Sequence, residues 1–346
     1  MTRGGGTSSD VLNDVAVHHV DGSVVSVGAI SSSAASFGGL VLSTAGSSDA
    51  VVWKTNSMGT TLWSVRGGGT SGDSLTGVAM DNEGAVVAAG SFQSSTATFG
   101  GDVLSKAGGS LIDAMVWKLS SMGTTLWVLA APGSFLGMNC IAVDDAGGAI
   151  ATAGYVVGVG TFGSVVLTSM GSGDAVVWKL SPQGTTLWAV RGGGTDAETT
   201  SDVAVDSSGA VVAAGYFSAE ATFGNVVLSS AGSKDAMVWK LSPQGTTLWV
   251  VRGGGTSDEW TSGVVVDGGG AVVSAGFLSS TATFGGEVLT SAGSKDAVAW
   301  KLSSQGTTLW AVRGGGTSDD SLSDVAVDGA DAVLATGYYK LSLIHI

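Results

Sequence analysis

Residues 235–256 read Asp-Ala-Met-Val-Trp-Lys-Leu-Ser-Pro-Gln-Gly-Thr-Thr-Leu-Trp-Val-Val-Arg-Gly-Gly-Gly-Thr, and related versions of this stretch occur five times in the chain. Each copy carries two tryptophans ten positions apart, at Trp53 and Trp63, Trp117 and Trp127, Trp178 and Trp188, Trp239 and Trp249, and Trp300 and Trp310. Successive copies are separated by 64, 61, 61 and 61 residues. A fixed period of this size predicts a propeller, a solenoid or another tandem array.

Each repeat contains four short apolar segments bounded by Gly, Ser, Asp or Pro, which is the pattern of β-strands. In the fourth repeat these segments are 202–205, 210–217, 236–241 and 247–252. The connections Asp206-Ser207-Ser208-Gly209 and Ser242-Pro243-Gln244-Gly245 both fit a type I turn followed by a left-handed glycine, a G1-bulge hairpin. The repeat therefore predicts two consecutive antiparallel hairpins, separated by a Phe-Gly loop that we expect to form a small extra ribbon.

The repeat length and the distribution of side-chain sizes predict an all-β fold of the β-propeller class. Four strands in about 61 residues is the size of one propeller blade. The first two strands carry Val, Ala and Gly and the last two carry Trp, which fills a wedge that widens outwards. A solenoid is the second choice. The G1-bulge register also predicts that Trp239 and Trp249, and their equivalents, are cross-strand neighbours on one sheet face.

We expect one propeller domain with five full blades and a half blade, in a chain that is a truncated fragment. The predicted blades are residues 14–66, 78–130, 141–191, 203–252 and 264–313, followed by a half blade at 325–340. Residues 1–13 are interpreted as the remnant of a preceding blade, because they repeat the glycine-rich end of the quoted stretch. Residues 341–346 match no repeat position and are interpreted as a non-native tail, because their codons can spell a transposon-end sequencing adapter.

The composition argues against nucleic acid as a partner and against a transmembrane segment. Charged residues make up 12% of the chain and the net charge is −14. Nine of the fourteen Lys and Arg residues lie at repeated positions, spread one per strand, whereas nucleic-acid binding requires a basic patch. No apolar run approaches the roughly 18 residues of a transmembrane helix. We therefore expect neither nucleic acid as a partner nor a transmembrane segment.

Three parts of the repeat resemble a known family. They are Val-Ala-Val-Asp-x-x-Gly-x-Val-Val-x-x-Gly over 203–215, Thr-Phe-Gly over 222–224, and Asp-Ala-x-Val-x-Lys-Leu-x-x-x-Gly-x-x-x-Trp over 235–249. This pattern resembles the bacterial β-propeller repeat family (SBBP-type repeats), over nearly the whole chain. The chain departs from that family in having Trp, rather than a smaller residue, before the Lys. The resemblance implies a secreted or cell-surface propeller module, and it transfers no catalytic residue.

One loop departs from the repeat in a way that suggests a ligand-facing surface, at Asp258, Glu259 and Trp260. Trp260 is the one tryptophan outside the repeated positions, and we place it in an exposed loop, where it could stack on a sugar or a protein partner. Local packing of the ring is an equally good interpretation. No catalytic, cofactor or metal-binding residue is assigned.

Two further repeated features have plainer interpretations. Acidic residues precede the first strand of most repeats, and calcium, which takes oxygen ligands, is conceivable there. They lack the Asp-x-Asp-x-Asp-Gly spacing, so a solvated rim is favoured. The Gly-Gly-Gly triplets lack the Lys-Ser/Thr of a phosphate-binding loop and are interpreted as flexible connections between blades.

Together these features predict a non-catalytic binding or interaction scaffold, extracellular or displayed at the cell surface, with a protein or carbohydrate ligand. One alternative is a hydrolase or lyase with its site in the propeller mouth. Such an enzyme should show non-repeating polar residues clustered in the loops of adjacent blades. The other alternative is a purely structural repeat array.

Overall fold

The described part of the chain is entirely β-structure. The computed structural model describes residues 4–106, 111–144 and 147–340, and of residues 135 and 136 only the backbone. Every regular element in these ranges is a strand. The described residues contain no helix long and apolar enough to span a membrane. The predicted tail at 341–346 lies outside the described residues.

The chain divides into two compact units, and the division passes through the third repeat. The first unit comprises Met1–Thr152, Val156–Thr168 and Trp178–Trp188. The second comprises Ala153–Tyr155, Ser169–Val177 and Ala189–Ile346.

The strands before the third repeat are β1 (Gly4–Gly5), β2 (Val11–Val17), β3 (Val24–Ile30), β4 (Ala35–Phe37), β5 (Leu40–Leu42), β6 (Asp49–Thr55), β7 (Thr61–Gly69), β8 (Asp73–Met80), β9 (Val86–Phe92), β10 (Thr96–Phe99), β11 (Asp102–Ser105), β12 (Asp113–Leu119) and β13 (Thr125–Ala131). The third repeat contains β14 (Gly133–Val143), β15 (Ile150–Phe162), β16 (Val165–Thr168), β17 (Asp174–Leu180) and β18 (Thr186–Gly194). The fourth repeat contains β19 (Thr199–Val205), β20 (Val211–Phe217), β21 (Glu220–Phe223), β22 (Val226–Ser229), β23 (Asp235–Leu241) and β24 (Thr247–Gly255). The remaining strands are β25 (Glu259–Val266), β26 (Val272–Leu278), β27 (Thr281–Phe284), β28 (Glu287–Thr290), β29 (Asp296–Leu302), β30 (Thr308–Gly314), β31 (Asp320–Val327) and β32 (Val333–Tyr339).

Four strands of each repeat form one antiparallel sheet in the order of a propeller blade. The order is β13-β12-β9-β8 in the first unit and β25-β26-β29-β30 in the second, so each strand pairs with its neighbour in the chain once the ribbon between the hairpins is set aside. The predicted fold class, an all-β chain of tandem four-stranded propeller blades, is confirmed by this topology. A two-stranded sheet, β31-β32, follows the fifth repeat.

The Phe-Gly loop of each repeat forms the expected ribbon, and in the second, fourth and fifth repeats the ribbon joins the sheet of the preceding repeat. In the third repeat the ribbon of β15 and β16 stays in its own sheet, and Ala131 and Pro132 stand where the preceding triplet would have its first two glycines. In the second unit β27 and β28 form the ribbon of the fifth repeat, and β27 pairs with the end of β24. The register places Gly253 opposite Phe284 and Gly255 opposite Ala282. The sheet of the fourth repeat thereby grows to six strands, β19-β20-β23-β24-β27-β28. Consecutive repeats are therefore joined by backbone hydrogen bonds as well as by side-chain packing.

The glycine triplet is a closely packed strand segment, so its interpretation as a flexible connection is wrong. A Cβ on Gly253 would overlap the ring of Phe284, and one on Gly255 would overlap the carbonyl oxygen of Thr281. A Cβ on Gly254 would lie 2.6 Å from Oδ2 of Asp235. Each glycine of the triplet thus permits a different close approach, by an aromatic ring, a carboxylate and a neighbouring backbone.

The predicted pairing of the two tryptophans is wrong by one residue, because the strand contains a second bulge. The turn forms as expected, with Gly245 at φ 83° and its N–H donated to the Ser242 carbonyl at 2.9 Å. Beyond it Leu241 pairs with Thr247, but Lys240 pairs with Trp249. Leu248 is therefore the extra residue, and its side chain is 54% exposed.

The bulge places the two tryptophans on opposite faces of the sheet, where they make different contacts. Trp239 is 1% exposed, packs edge-on against Phe223 at 5.1 Å and donates its Nε1–H to Oγ1 of Thr247 at 3.0 Å. Trp249 instead donates to the Ser304 carbonyl of the next repeat at 3.0 Å. One tryptophan stabilises its own blade and the other binds the turn of the following blade.

In the first unit the same contact joins Trp63 to the Ser121 carbonyl at 2.9 Å and Trp127 to the Pro182 carbonyl at 3.1 Å. The turn glycine that follows each carbonyl lies against the indole, because a Cβ on Gly123 would come within 2.8 Å of Trp63. The clamp between repeats therefore consists of an indole, a carbonyl and a glycine.

A methyl group on the third glycine of a triplet should separate the ribbon from the blade. We expect Gly255→Ala to destabilise the protein by about 1–3 kcal/mol or more, because the clash is with backbone that cannot rotate away. Gly286→Ala is the matched control, since a Cβ there has no heavy atom within 4 Å. Thermal or urea unfolding measures both, and an equal response of the two variants would contradict this packing.

The inter-repeat tryptophan can be tested by removing its hydrogen-bond donor while keeping a ring. Trp249→Phe should cost on the order of 1–2 kcal/mol of unfolding free energy, because it leaves the Ser304 carbonyl without its donor. In Trp310→Phe the same change is made at an indole that has no hydrogen bond within the described residues, so a smaller loss is expected. A larger loss at residue 310 would show that ring volume, rather than the hydrogen bond, is what matters.

Candidate functional site

The structure brings Trp260 together with four residues that the sequence analysis did not group with it. Tyr216 lies near the end of β20, Phe277 near the end of β26, and Lys234 and Lys295 immediately precede β23 and β29. We call Tyr216, Trp260, Phe277, Lys234 and Lys295 the aromatic–lysine cluster. All five side chains are half-buried and belong to the second unit. Trp260 itself lies in strand β25, where the sequence analysis expected an exposed loop.

Three rings form the centre of the cluster. Trp260 is the cross-strand partner of Phe277, and their ring centroids are 6.4 Å apart. Tyr216 approaches Trp260 from the preceding repeat at 4.6 Å with the planes tilted by 59°. The indole Nε1–H is donated to Oγ of Ser201 at 2.6 Å. The ring of Trp260 is therefore held on both sides by aromatic packing and at its polar edge by a hydroxyl group.

Two ammonium groups lie over these rings. Nζ of Lys234 is 4.4 Å from the Tyr216 centroid and 5.4 Å from that of Trp260, and Nζ of Lys295 is 4.2 Å from the Phe277 centroid. These distances are within the range of cation–π attraction. Neither lysine takes part in an ion pair with any described carboxylate. The cluster thus holds two ammonium groups with no carboxylate partner among the described residues, on a chain whose net charge is −14.

The lysines at the repeated position of the third strand have a different role. Lys118, Lys240 and Lys301 are paired with the turn carboxylates of Asp81, Asp206 and Asp267 at 2.7–3.1 Å. Asp206 also accepts hydrogen bonds from the backbone of its own turn, at Ser208 and Ala210. These cations stabilise the first hairpin of each blade, so they are not available to a ligand in the way that Lys234 and Lys295 are.

The sequence contained a signal for the cluster that a repeat-by-repeat alignment can reveal. The position of Trp260 is occupied in other repeats by Val11, Ser74, Thr199 and Ser321. The position of Lys234 and Lys295 is occupied elsewhere by Ser48, Ile112 and Gly173. Sequence reasoning noticed only the tryptophan, because the lysines stand far from it along the chain and only the blade packing brings them together.

Glu259, the second predicted site residue, is directed into the protein. It is fully buried, and its Oε2 accepts a hydrogen bond from Gly255 N at 2.6 Å while its Oε1 accepts one from Ser279 N at 3.3 Å. Glu198 is placed in the same way, accepting from Gly194 N at 2.7 Å. These carboxylates fasten the glycine triplet to the start of the next blade.

Other acidic residues at this position are also buried, so the interpretation of a solvated rim is wrong for them. Asp73 and Asp320 are at most 4% exposed and accept from the amides of Gly69 and Gly316, each at 2.7 Å. These carboxylates lie inside the protein because they accept hydrogen bonds from the buried backbone amides that connect two blades. Without the carboxylates these amides would have no acceptor.

A second buried carboxylate lies beside each of these acids. Asp235 is paired with Arg252 at 3.2 Å and accepts from Ala231 N at 3.1 Å. A Cβ on Gly193 of the preceding triplet would lie 2.6 Å from both the carboxyl carbon of Asp174 and Oε2 of Glu198. Two carboxylates therefore converge on the middle glycine, and only the Asp has an arginine partner.

This arrangement changes the proton affinity of the glutamates. Burial raises the pKa of Glu259 to about 7, and the charges of Asp235 and Asp258 act in the same direction against the opposing hydrogen bonds of Gly255 and Ser279. Burial likewise raises the pKa of Glu198 to about 7, with Asp174 and Asp196 adding to the effect.

Asp258, the third predicted site residue, contributes its backbone to the frame of the cluster. Its carbonyl accepts from Ser279 N at 3.1 Å, and the Lys234 carbonyl accepts from Glu259 N at 2.8 Å.

The described residues contain no group of three or more His, Cys, Asp and Glu side chains that could share a metal ion. Calcium in the acidic loops stays an untested prediction.

A separate groove of about 620 Å³ lies in the first unit, at the turn ends of the strands. Its lining includes Asp81, Glu83, Asp144, Lys118 and Trp127. Lys118 is already paired with Asp81, and Trp127 with the Pro182 carbonyl. Lys118 and Trp127 of this groove thus already serve a contact within the second repeat and one between the second and third repeats.

Comparison with known proteins gives a distant structural likeness. No protein-family model and no curated protein matches the chain, so membership of the SBBP-type family stays a prediction. Among solved structures, a Bacteroides caccae protein of unknown function is 11% identical with a TM-score of 0.38, covering 76% of this chain and 90% of that one. The WD40 β-propeller domain of Doa1 is 11% identical with a TM-score of 0.38, covering 97% and 92%. Sqt1 from Chaetomium thermophilum is 11% identical with a TM-score of 0.37, covering 95% and 93%.

The raised pKa of the buried glutamates predicts a pH-dependent stability. Between the ordinary value of 4.5 and about 7 the folded chain holds a proton on Glu259 that the unfolded chain has released, so stability should decrease as the pH rises through this window. Glu259→Gln, which cannot ionise, should lose less stability between pH 5 and 8 than the original protein, by about 1–3 kcal/mol.

Chemical unfolding of both proteins across this pH range measures the effect. Glu287→Gln, a change at an exposed carboxylate of β28, is the control and should leave the pH dependence as it was. Parallel pH curves for the Glu259 variant and the original protein would contradict the buried, protonated state.

Proposed function

We propose that this chain is a non-catalytic interaction module of the β-propeller type, and that it binds a protein or carbohydrate partner at the aromatic–lysine cluster. The blades supply a rigid frame, and the ends of strands from two consecutive repeats supply the binding side chains. The proposal that the module acts outside the cell or at its surface is supported by the resemblance to the bacterial repeat family.

The observation that carries the proposal is the coincidence of departures from the repeat. A side chain that only maintains the fold should recur in every blade, as the paired tryptophans do. Trp260 occurs once, and Lys234 and Lys295 occur in two of the five repeats. All three meet around two aromatic rings on consecutive repeats. Exposed or half-exposed aromatic and cationic side chains grouped in this way are typical of recognition surfaces.

Rigid rings are suited to this role. Tyr and Trp present a large contact area at a low cost in conformational entropy, because few of their bonds rotate. Trp260 is further fixed by its hydrogen bond to Ser201 and by Tyr216. A ligand therefore meets side chains that are already ordered, which reduces the entropy lost on binding.

Replacing the central ring should weaken ligand binding at least tenfold while preserving the fold. Immobilised protein would be exposed to dextran, carboxymethyl-dextran, dextran sulfate, xylan and poly-glutamate, with binding followed by biolayer interferometry. We expect at least one probe to bind, and Trp260→Ala to bind it at least tenfold more weakly. Tyr339→Ala, which removes an aromatic side chain that is 75% exposed outside the cluster, is the matched control and should bind normally.

Either of two results would overturn the proposal. One is that no probe binds the original protein, and the other is that the Trp260 variant, shown to be folded by its unfolding temperature, binds as well as the original. Analysis of polysaccharide length after incubation provides a further check, because chain shortening would favour the predicted alternative of a hydrolase or lyase.

A further inference from the structure

We propose that the ligand of the aromatic–lysine cluster is an acidic carbohydrate, a polysaccharide that carries carboxylate or sulfate groups on its sugar rings. This inference rests on the proposed function and specifies its ligand. Three properties of the cluster lead to it: the unpaired cations, the flanking rings and the occupied backbone.

The cations require an anionic group. Lys234 and Lys295 hold their ammonium groups over ring faces rather than next to carboxylates, at 4.4 and 4.2 Å from the Tyr216 and Phe277 centroids. A ring face compensates an ammonium charge only in part. Each ammonium group still has N–H donors for an oxygen of the ligand. A carboxylate or sulfate would form charge-assisted hydrogen bonds with them.

The aromatic rings require that the ligand also present an apolar surface beside its anionic group. Tyr216, Trp260 and Phe277 follow one another at 4.6 and 6.4 Å and are half-buried, so part of each ring remains open to solvent. Pyranose sugars present C–H faces that pack on aromatic rings, and their substituents lie at the edge of the same face. A chain of sugars with charged substituents offers both chemistries side by side, as the cluster does.

The backbone around the cluster disfavours an extended peptide. β25 is paired with β26 through Trp260 and Phe277, and β26 is paired with β29. The amides of Glu259 and Ser279 are already donated to the Lys234 and Asp258 carbonyls. β25 ends its sheet, so a peptide could add as a strand only along the outer edge of β25, and the amides of Glu259 and Ser279 would not take part in that pairing. A ligand that binds through ring contacts and charged substituents needs no main-chain pairing.

The net charge of the whole chain limits how densely charged the ligand can be. With a net charge of −14, the protein repels a large, densely charged polyanion such as a nucleic acid at long range. Two lysines in a local patch suit a ligand whose charges are spaced along a largely neutral framework. Weakly substituted acidic polysaccharides meet this description.

The test compares three polymers that share one backbone: dextran, carboxymethyl-dextran and dextran sulfate, with poly-glutamate as the peptide counterpart. We expect the original protein to bind at least one acidic dextran at least tenfold more tightly than dextran. Carboxymethyl-dextran and dextran sulfate distinguish a carboxylate ligand from a sulfate ligand. The double substitution Lys234→Gln/Lys295→Gln should remove this preference, reducing binding to the acidic polymer about tenfold or more.

The double substitution Lys106→Gln/Lys340→Gln is the charge-matched control, because both lysines lie outside the cluster, Lys340 is exposed and the Nζ of Lys106 donates to the Gln93 carbonyl at 2.9 Å. It should retain the preference for the acidic polymer. Equal loss in the control and in the variant changed at Lys234 and Lys295 would show that binding depends on overall charge, and would overturn the inference. Unfolding temperatures within a few degrees of the original protein establish that the variants are folded.

The remaining outcomes separate this inference from the proposed function. Equal binding of dextran and its acidic derivatives, lost in Trp260→Ala, would uphold the function and overturn the anionic ligand. Preference for poly-glutamate over both acidic dextrans would overturn the carbohydrate and point to an acidic protein segment. Absence of binding to every polymer would overturn both proposals together.

Discussion

The close approach of a ribbon to the glycine triplet of the preceding repeat is the contact on which the other features of the repeat depend. β27 can pair with β24 only because residues 253–255 have no side chains. The backbone amides of the triplet then need acceptors, and Glu259 supplies one from the start of the next blade. The opposing Phe284 fills the space over Gly253 and supports Trp300 at 5.2 Å. Glycine, acid and aromatic positions thus recur together because one contact requires all of them.

The bulge at Leu248 gives the second connection between repeats. An even register would put both tryptophans of a blade on one face, where they would pack against each other and leave the next turn without a partner. The extra residue rotates Trp249 to the other face, and its Nε1–H reaches the Ser304 carbonyl. One inserted residue therefore turns a contact within a blade into a contact between blades. The cluster around Trp260 is built on the rigidity that these two connections provide.

The repeat allowed the strands, the hairpins and the blade class to be predicted, because turn glycines and Val-rich segments act locally. The register of the tryptophans could not be predicted, since a bulge opposite Lys240 and Leu241 leaves no mark in composition or period. Burial of Glu259 was missed for a related reason: its partners, Gly255 and Ser279, are brought to it by strand pairing. Trp260 was identified because it breaks the repeat, whereas Lys234 and Lys295 were not, since the contacts that unite them are tertiary.

The pairing of a ribbon with the preceding repeat also sets an order of events during synthesis. Gly253 finds its partner in Phe284, thirty-one positions further along the chain. Until that segment has left the ribosome, the outer edge of β24 has no strand beside it, and the buried Asp235, with its partner Arg252, faces an unfinished sheet. A nascent repeat is therefore completed by its successor, roughly half a repeat later. Slow translation just after a triplet would lengthen the time during which this unpaired sheet edge is exposed and can pair with other chains.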